Sequence, residues 1–571
     1  MTRTLRWFGV IALTAACHPG TTPDVASPFP PGWRFRVGEP AVFAQHAMVV
    51  SNSEIASRVG ADIMRRGGNA IDAAVAVGFA MTVTFPGAGN IGGGGFMVIR
   101  RANGESVALD YRETAPSAAS RNMYLDAAGK LTDRSLVGHL AVGVPGSVAG
   151  MVEALRKYGT MSLHDVIAPA IGLAAEGFTV DSSFSRDLSG DSALITPFEG
   201  RRVFFPNGAA ISAGTLLRQS ELAWTLRQIS ERGAEGFYAG PVADSLVAEM
   251  QRGGGIITLA DLRSYKAIWR APVRGTYRGY TILSMPPPSS GGITMTEALN
   301  ILETYERPAP YGSVQWAHRL AESYQRAFVD RNSKIGDPAF VAVPQDSLTS
   351  KSYARRLRTG IDAFRHTPTP QLGIAGRDGM HTTHYSVVDA LGNAVAVTTT
   401  LNGTYGSGVW VRGAGFFLNN EMDDFAAQPG SPNMFGLVQG EQNAIAPGKR
   451  MLSAMTPTVV LDSTGRVVLV VGGAGGPTII TGTSQVILNV IDYHMSLADA
   501  MRAPRLHHQS LPDLLVWERG GLTDAVADSL RAMGHGLQET RSLVDINAIM
   551  RVGGGWQGVP EPRSGGGAVG Y

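Results

Sequence analysis

Residues 381–402 read HTTHYSVVDALGNAVAVTTTLN: two runs of β-branched, aromatic and hydroxyl side chains on either side of a short break. This commits the middle of the chain to antiparallel pairing. The break Ala390-Leu391-Gly392 has the length of a three-residue hairpin loop, with Gly392 at the left-handed position. Asp389 then opposes Asn393, and counting outward sets Thr382 opposite Thr400. Directly opposed residues have Cβ atoms roughly 4.5–5.5 Å apart, so two threonine hydroxyls meet at the open end of the hairpin. Thr–Thr pairs are common in sheets; what sets this one apart is what precedes it. Residues 358–381, RTGIDAFRHTPTPQLGIAGRDGMH, follow neither helical nor strand periodicity. So long a structureless stretch inside a compact chain is disordered, functional or processed. A threonine hydroxyl needs an adjacent base to become a nucleophile. A cut before Thr382 would supply one, because the new α-amine has a reference pKa of about 7.7–8.0, and Thr400 would orient the hydroxyl. The hairpin reads as a masked N-terminal nucleophile.

The rest of the sequence bounds the setting. A hydrophobic fraction of 44% against 17% charged residues marks a globular chain. Its 49 basic and 47 acidic residues form no long runs, which removes the electrostatic case for a nucleic-acid partner. The N-terminus, MTRTLRWFGVIALTAAC, has Arg3 and Arg6 before an apolar run too short for the roughly 20 residues of a membrane span. Residues 1–16 are therefore expected to be an export signal. Cys17, the only cysteine, stands where a bacterial lipoprotein signal has its lipidated residue, although Leu13 lies one position too early for a regular lipobox. The alternative is an ordinary cleaved signal with an incidental cysteine. Either way the expectation is export, to the periplasm or to an outer-membrane anchor through lipid on Cys17 in a Gram-negative bacterium. No disulfide can form within one chain. Residues 17–40 are Pro-rich and read as a linker.

Three glycine clusters invite readings. GAGNIG (87–92) matches a dinucleotide fingerprint in letters, but it follows a helical stretch and precedes a strand, the reverse of what that fingerprint needs. Close backbone packing in an irregular loop is the better reading. GGAGGPT (472–478) follows the strand RVVLVV and precedes a helix beginning near Pro477. Backbone N–H groups at such a junction make an anion site; with no lysine after the glycines, an oxyanion hole fits better than a nucleotide loop. MPPPSSGG (285–292) is a loop entering a helix near Ile293. Thr383, Thr398, Thr399 and His384 read as strand residues. No residue set has metal-ligand spacing, and no cofactor is expected.

With IGGGGFMV, DYRETAP, VGVPGSVAG, MPPPSSGG, LNNEMDDF, GKRMLSAMTPT and GGAGG added to the hairpin and its TLN, the chain resembles the γ-glutamyltransferases (glutathione hydrolases) of the N-terminal-nucleophile superfamily over about residues 40–571. That resemblance implies an α+β fold, a four-layer αββα sandwich built from two chains of one self-cleaved precursor. The cut would fall between His381 and Thr382, leaving a large chain (41–381 in its folded part) and a small catalytic chain (382–571) as a heterodimer. It implies Thr382 as nucleophile, Thr400 as its partner, and Gly475 and Gly476 as oxyanion donors, the last match requiring one inserted residue. Arg112 and Ser453 would hold the substrate α-carboxylate; Asn402, Glu421 and Asp424 would hold the α-ammonium. Donors would be glutathione and other γ-glutamyl compounds, and acceptors water, amino acids or dipeptides. The sequence departs from the family at two positions. Ala454 replaces a second serine at the carboxylate, and Phe435, in the lid loop 428–440, stands where many bacterial members have tyrosine. Two alternatives remain. A glutaryl or cephalosporin acylase on the same scaffold would have no use for the Glu421–Asp424 pair, whereas a non-catalytic exported γ-glutamyl-binding protein would tolerate Ala454 and Phe435.

Overall fold

In the hairpin, side chains alternate between two faces, and both faces are buried. Such a strand pair has to be covered on each side, and the architecture follows from that requirement. The computed structural model describes residues 28–369 and 382–571; the expected signal 1–16, Cys17 and His381 lie outside the described residues.

Two seven-stranded antiparallel sheets form the centre. The first runs Gly567–Gly570, Met48–Ser51, Thr382–Val388, Ala394–Thr400, Gly94–Arg100, Ser106–Tyr111 and Ile268–Arg270. The second runs Val42–Ala44, Gly555–Val559, Asp545–Val552, Val467–Ala474, Thr458–Leu461, Tyr280–Ser284 and Val273–Tyr277. The hairpin register is the expected one, with Thr382 opposite Thr400 and Val388 opposite Ala394.

Odd-numbered residues of the first strand (Tyr385, Val387) join a core with the helices Glu54–Arg65, Ala70–Thr84, Ser147–Tyr158 and Leu163–Glu176. The even-numbered face turns to the second sheet: the Ser386 hydroxyl donates to Val470 O at 3.3 Å, and the Asn547 amide donates to His384 O at 2.7 Å. Helices Gly291–Glu303, Val314–Lys334 and Thr478–Ile491 cover the far side of the second sheet. The layers are therefore helix, sheet, sheet, helix. Thr382 and Thr400 share the face of His384 and Ser386, at the open end of the inter-sheet layer.

Among the described residues, no helix is long and apolar enough to cross a membrane. Residues 28–40, expected to be linker, are docked instead. Phe29 and Trp33 pack against Ala503, and the Trp33 indole N–H donates to Arg502 O at 2.8 Å. Aromatic residues among the prolines supply apolar area that a solvated linker lacks.

Candidate active site

The strand that begins at Thr382 brings its Oγ1 to 3.4 Å from Thr400 Oγ1. Thr400 is held in turn: its hydroxyl accepts the Asn402 N–H at 2.7 Å, and its carbonyl accepts the Asn90 amide at 2.9 Å. Asn90 belongs to the cluster GAGNIG, and the glycines beyond it permit the approach. A Cβ on Gly92 or Gly93 would stand 2.0 Å from Phe417 O or 2.1 Å from Thr400 O. The cluster is thus a close-packed loop that buttresses the threonine pair.

Behind Thr382 lies an inner pocket of about 20 Å³, lined by Arg112, Arg331, Thr400, Asn402, Glu421, Asp424, Phe435, Ser453, Ala454 and Gly476 among others. Among the described residues expected at the site, only Gly475 is missing from it; Gly475 lines a second, outer cavity of about 1340 Å³. Thr382 and Phe435 face both spaces.

The inner pocket is an ion cluster. Arg112 follows the strand Ser106–Tyr111, is 1% exposed, and contacts Glu421 at 2.6 Å and Asp424. Both carboxylates sit on the short 3-10 turn Glu421–Asp424. Burial opposes the Arg112 charge, but Glu421 and Asp424 overcome it and raise its pKa. Burial also pushes the Glu421 and Asp424 carboxyls above their ordinary range, against the pull of Arg112. Arg112 thus pairs with Glu421 and Asp424 in a space with room for about one water, while Glu113 adds a carboxyl with no hydrogen bond.

Three neighbours escaped the sequence reading. Glu113 is fully buried, lies 3.7 Å from Arg112, and has no hydrogen-bond partner for either oxygen; burial raises its pKa. Arg331 donates to Ser290 Oγ at 3.0 Å, while Ser290 Oγ donates to Ser453 O at 2.7 Å, and burial lowers its pKa to about 10. Asp423 Oδ2 accepts the Met434 N–H at 2.9 Å, tying the pocket to the loop 428–440. Glu113 and Asp423 stand inside quoted motifs and Arg331 does not, but nothing in their spacing points to a shared pocket.

Gly475 and Gly476 occupy the junction between strand Val467–Ala474 and helix Thr478–Ile491, with φ of 143° and 57°. Only glycine adopts both readily. A Cβ on Gly476 would also stand 2.6 Å from the Phe435 ring, so Phe435 lies directly on this glycine. The loop 428–440 is pinned by Asn433, whose Oδ1 accepts the Phe435 and Leu437 N–H groups at 3.1 Å each.

A second titratable cluster lies away from Thr382. His366 donates from Nδ1 to Glu322 at 2.7 Å and from Nε2 to Asp513 at 3.0 Å. His508 lies 3.2 Å from the same Asp513 oxygen, and His318 and His535 lie 2.8 Å apart. By composition these are two metal-capable groups, which sequence spacing did not reveal. Both His366 nitrogens face carboxylates, so both carry hydrogen. His508 Nδ1 accepts the Ser510 N–H at 3.1 Å, which leaves the proton on Nε2.

The chain can now be set beside known proteins. Residues 56–571 match the family model for gamma-glutamyltranspeptidase. The glutathione hydrolase proenzyme of Escherichia coli K12 is 45% identical over 570 residues, 98% of each chain. The acylase ACY 1 proenzyme of Pseudomonas sp. SE83 is 39% identical over 88% of this chain and 89% of its own. Among solved structures, a cephalosporin acylase from Bacillus halodurans superposes with a TM-score of 0.84 at 28% identity, covering 95% of this chain and 99% of its own. The family match, the identity over nearly the whole chain and the shared layered sheets agree: this chain is a member of the γ-glutamyltranspeptidase family, with the N-terminal-nucleophile hydrolase fold.

Proposed function

We propose that the protein is an exported proenzyme that cuts itself between His381 and Thr382 and then works as a γ-glutamyltransferase and glutathione hydrolase. The observation that carries this reading is the pairing of Arg112 with Glu421 and Asp424 in the pocket that Thr382 borders. A γ-glutamyl head is zwitterionic at its α-carbon. It can exchange its own carboxylate and ammonium for the ions already paired there, so little charge is left unmatched in the buried site.

In this reading Arg112 takes the α-carboxylate as a fork, with Ser453 beside it, and Asn402, Glu421 and Asp424 take the α-ammonium. Thr382 Oγ attacks the γ-amide carbonyl while the freed α-amine of Thr382 accepts the hydroxyl proton. The backbone N–H groups of Gly475 and Gly476 hold the developing oxyanion, each such donor being worth about 3–4 kcal/mol in comparable sites. The C–N bond breaks, the proton passes to the leaving amine (Cys-Gly for glutathione), and the γ-glutamyl ester on Thr382 remains. Water or the amine of an amino acid or dipeptide then attacks the ester, returning the proton to Thr382. The proposed large chain ends at His381, and Cys17 is the proposed lipid attachment point.

A glutaryl or cephalosporin acylase is the second reading, favoured by the acylases among the relatives. Its substrate lacks the α-amine, which would leave Glu421 and Asp424 buried without a purpose.

Intact mass measurement of wild type and Thr382→Ala tests the proposal. The wild type should give two fragments divided before Thr382, and the variant one uncut chain. A single chain in both would overturn the mechanism. Faster turnover of a glutaryl amide than of the matching γ-glutamyl amide would transfer the site to the acylase reading.

A further inference from the structure

Phe435 lacks the hydroxyl through which a tyrosine at this place would be tethered, yet its ring lies on Gly476. Something else has to hold it. The Gln509 amide donates to Phe435 O at 3.1 Å and to Leu511 O at 3.2 Å. Its oxygen is 2.9 Å from His507 Nε2, and His507 Nδ1 is 2.9 Å from Thr481 Oγ1. Two carbonyls on one side and an imidazole on the other leave one orientation for this amide: NH₂ toward the carbonyls, oxygen toward an Nε2–H. The contacts Thr481, His507, Gln509, Phe435 then connect the helix after the oxyanion glycines to the lid, the one Thr481 hydroxyl proton being shared between His507 Nδ1 and Thr478 O at 3.1 Å.

The loop that carries Gln509 is braced from the other side. Asp513, four residues on, accepts from His366 Nε2 at 3.0 Å and from the Thr369 N–H at 2.7 Å. His508, one residue before, lies 3.2 Å from Asp513 Oδ1. His366 is itself fixed by Glu322 at 2.7 Å and by its own N–H to Met533 O at 2.8 Å. Gln509 and Phe435 both line the outer cavity, so the clamp sits at its junction with the inner pocket.

We propose that Gln509 is the positioning residue of the lid: its amide holds the Phe435 carbonyl, keeps the ring over Gly476, and thereby governs water access to the acylated threonine, with His366, Asp513 and His508 bracing the loop that carries it. This rests on the γ-glutamyl transfer reading above. The clamp limits hydrolysis by keeping the ring between the outer cavity and the ester; a larger acceptor amine contributes its own contacts and depends less on the ring.

The test uses Gln509→Glu, which keeps the shape and the acceptor for His507 but loses the donor to Phe435 O. With γ-glutamyl-p-nitroanilide as donor and glycylglycine as acceptor, the ratio of hydrolysis to transfer product should rise about five- to tenfold. A partition ratio does not depend on how much enzyme is active, so a merely damaged fold would not move it. Gln509→Lys restores a donor and should bring the ratio back to within twofold of wild type. In a Phe435→Ala background, Gln509→Glu should add nothing, because the ring it positions is gone. Chymotryptic cleavage after Phe435 or Leu437 should quicken about tenfold in Gln509→Glu, and this readout needs no substrate. An unchanged ratio together with unchanged cleavage would overturn the proposal. If wild type fails to turn over γ-glutamyl donors at all, the transfer reading falls, and lid cleavage alone then decides whether Gln509 is the clamp.

Discussion

Two buried ion clusters join the part of the chain before residue 370 to the part after 381, and they differ in how completely their charges are matched. Around His366, the imidazolium lies between Glu322 and Asp513, and Glu322 is paired again by Arg326 at 2.6 Å. Around Arg112, three carboxyls from Glu113, Glu421 and Asp424 face two guanidiniums, and both Glu113 oxygens lack hydrogen bonds. The first cluster matches its central charge and leaves only ring nitrogens of His508 and His535 without hydrogen bonds, whereas the second carries surplus acid beside the proposed nucleophile. A buried polar group left unpaired is costly, and such groups persist where a ligand completes them. By that criterion the first cluster fastens and the second binds.

The sharpest way to break this distinction is to remove the central cation from each. Arg112→Gln leaves buried carboxyls without their partner and takes away the proposed fork for the substrate carboxylate. We expect kcat/KM for a γ-glutamyl amide to fall by about 10³ or more, roughly 4 kcal/mol of transition-state stabilisation, with most of the folded protein retained because Glu421 and Asp424 can take up protons. Steady-state kinetics beside a thermal melt measure both. A loss of folding without selective loss of kcat/KM would make this cluster structural too.

The counterpart is His366→Gln. Its partners hold the His366 pKa up, to about 9, against the effect of burial. A raised folded-state pKa means that the stabilisation is complete below the unfolded value near 6.5 and disappears as pH rises through about 9. Wild type should therefore lose on the order of 2 kcal/mol between pH 6 and 10 that His366→Gln never had, while kcat for donor cleavage stays within a fewfold. Melts at pH 6, 7.5 and 10 for both proteins are the measurement. A variant whose melting temperature tracks wild type across that range would refute the fastening role.

The pocket should show pH dependence of the opposite kind. Burial raises the Glu421 and Asp424 carboxyls, and an incoming ammonium favours their ionised forms. Donor KM should therefore rise severalfold as pH falls below neutrality, with a glutaryl analogue much less affected. Equal KM profiles for the two compounds would remove the ammonium from the argument.

How much of this was legible follows from sequence distance. The hairpin register could be counted because loop length and alternation fix it within nineteen residues, Thr382 to Thr400. The glycine junction at 475–476 was legible because strand, glycines and helix are contiguous. Arg331 was not: it lies inside helix Val314–Lys334, where a single arginine resembles any solvated charge, and only the packing of that helix on the MPPPSSGG loop brings it to Ser290. The clusters of His318, His366, His508 and His535 have no local spacing at all. Residues 28–40 misled because proline content signals extension without saying what the aromatics between the prolines pack against.

Ala454 tests the smallest effect and the fit of the pocket at once. It lines the inner pocket beside Ser453, whose Oγ already accepts the Met455 N–H at 3.1 Å. Restoring a hydroxyl with Ala454→Ser adds one donor toward the proposed α-carboxylate, a bond to a charged group of about 1.5 kcal/mol net, or roughly a tenfold fall in donor KM. That gain needs the carboxylate to lie between Arg112 and residue 454. Arg331, held by Ser290 on the same wall, is the competing source of positive charge. If Arg331 already fills the place of the missing serine, Ala454→Ser leaves KM unchanged and Arg331→Met raises it. A fall in KM for Ala454→Ser with no effect of Arg331→Met would assign the carboxylate to Arg112 and the two serine positions alone.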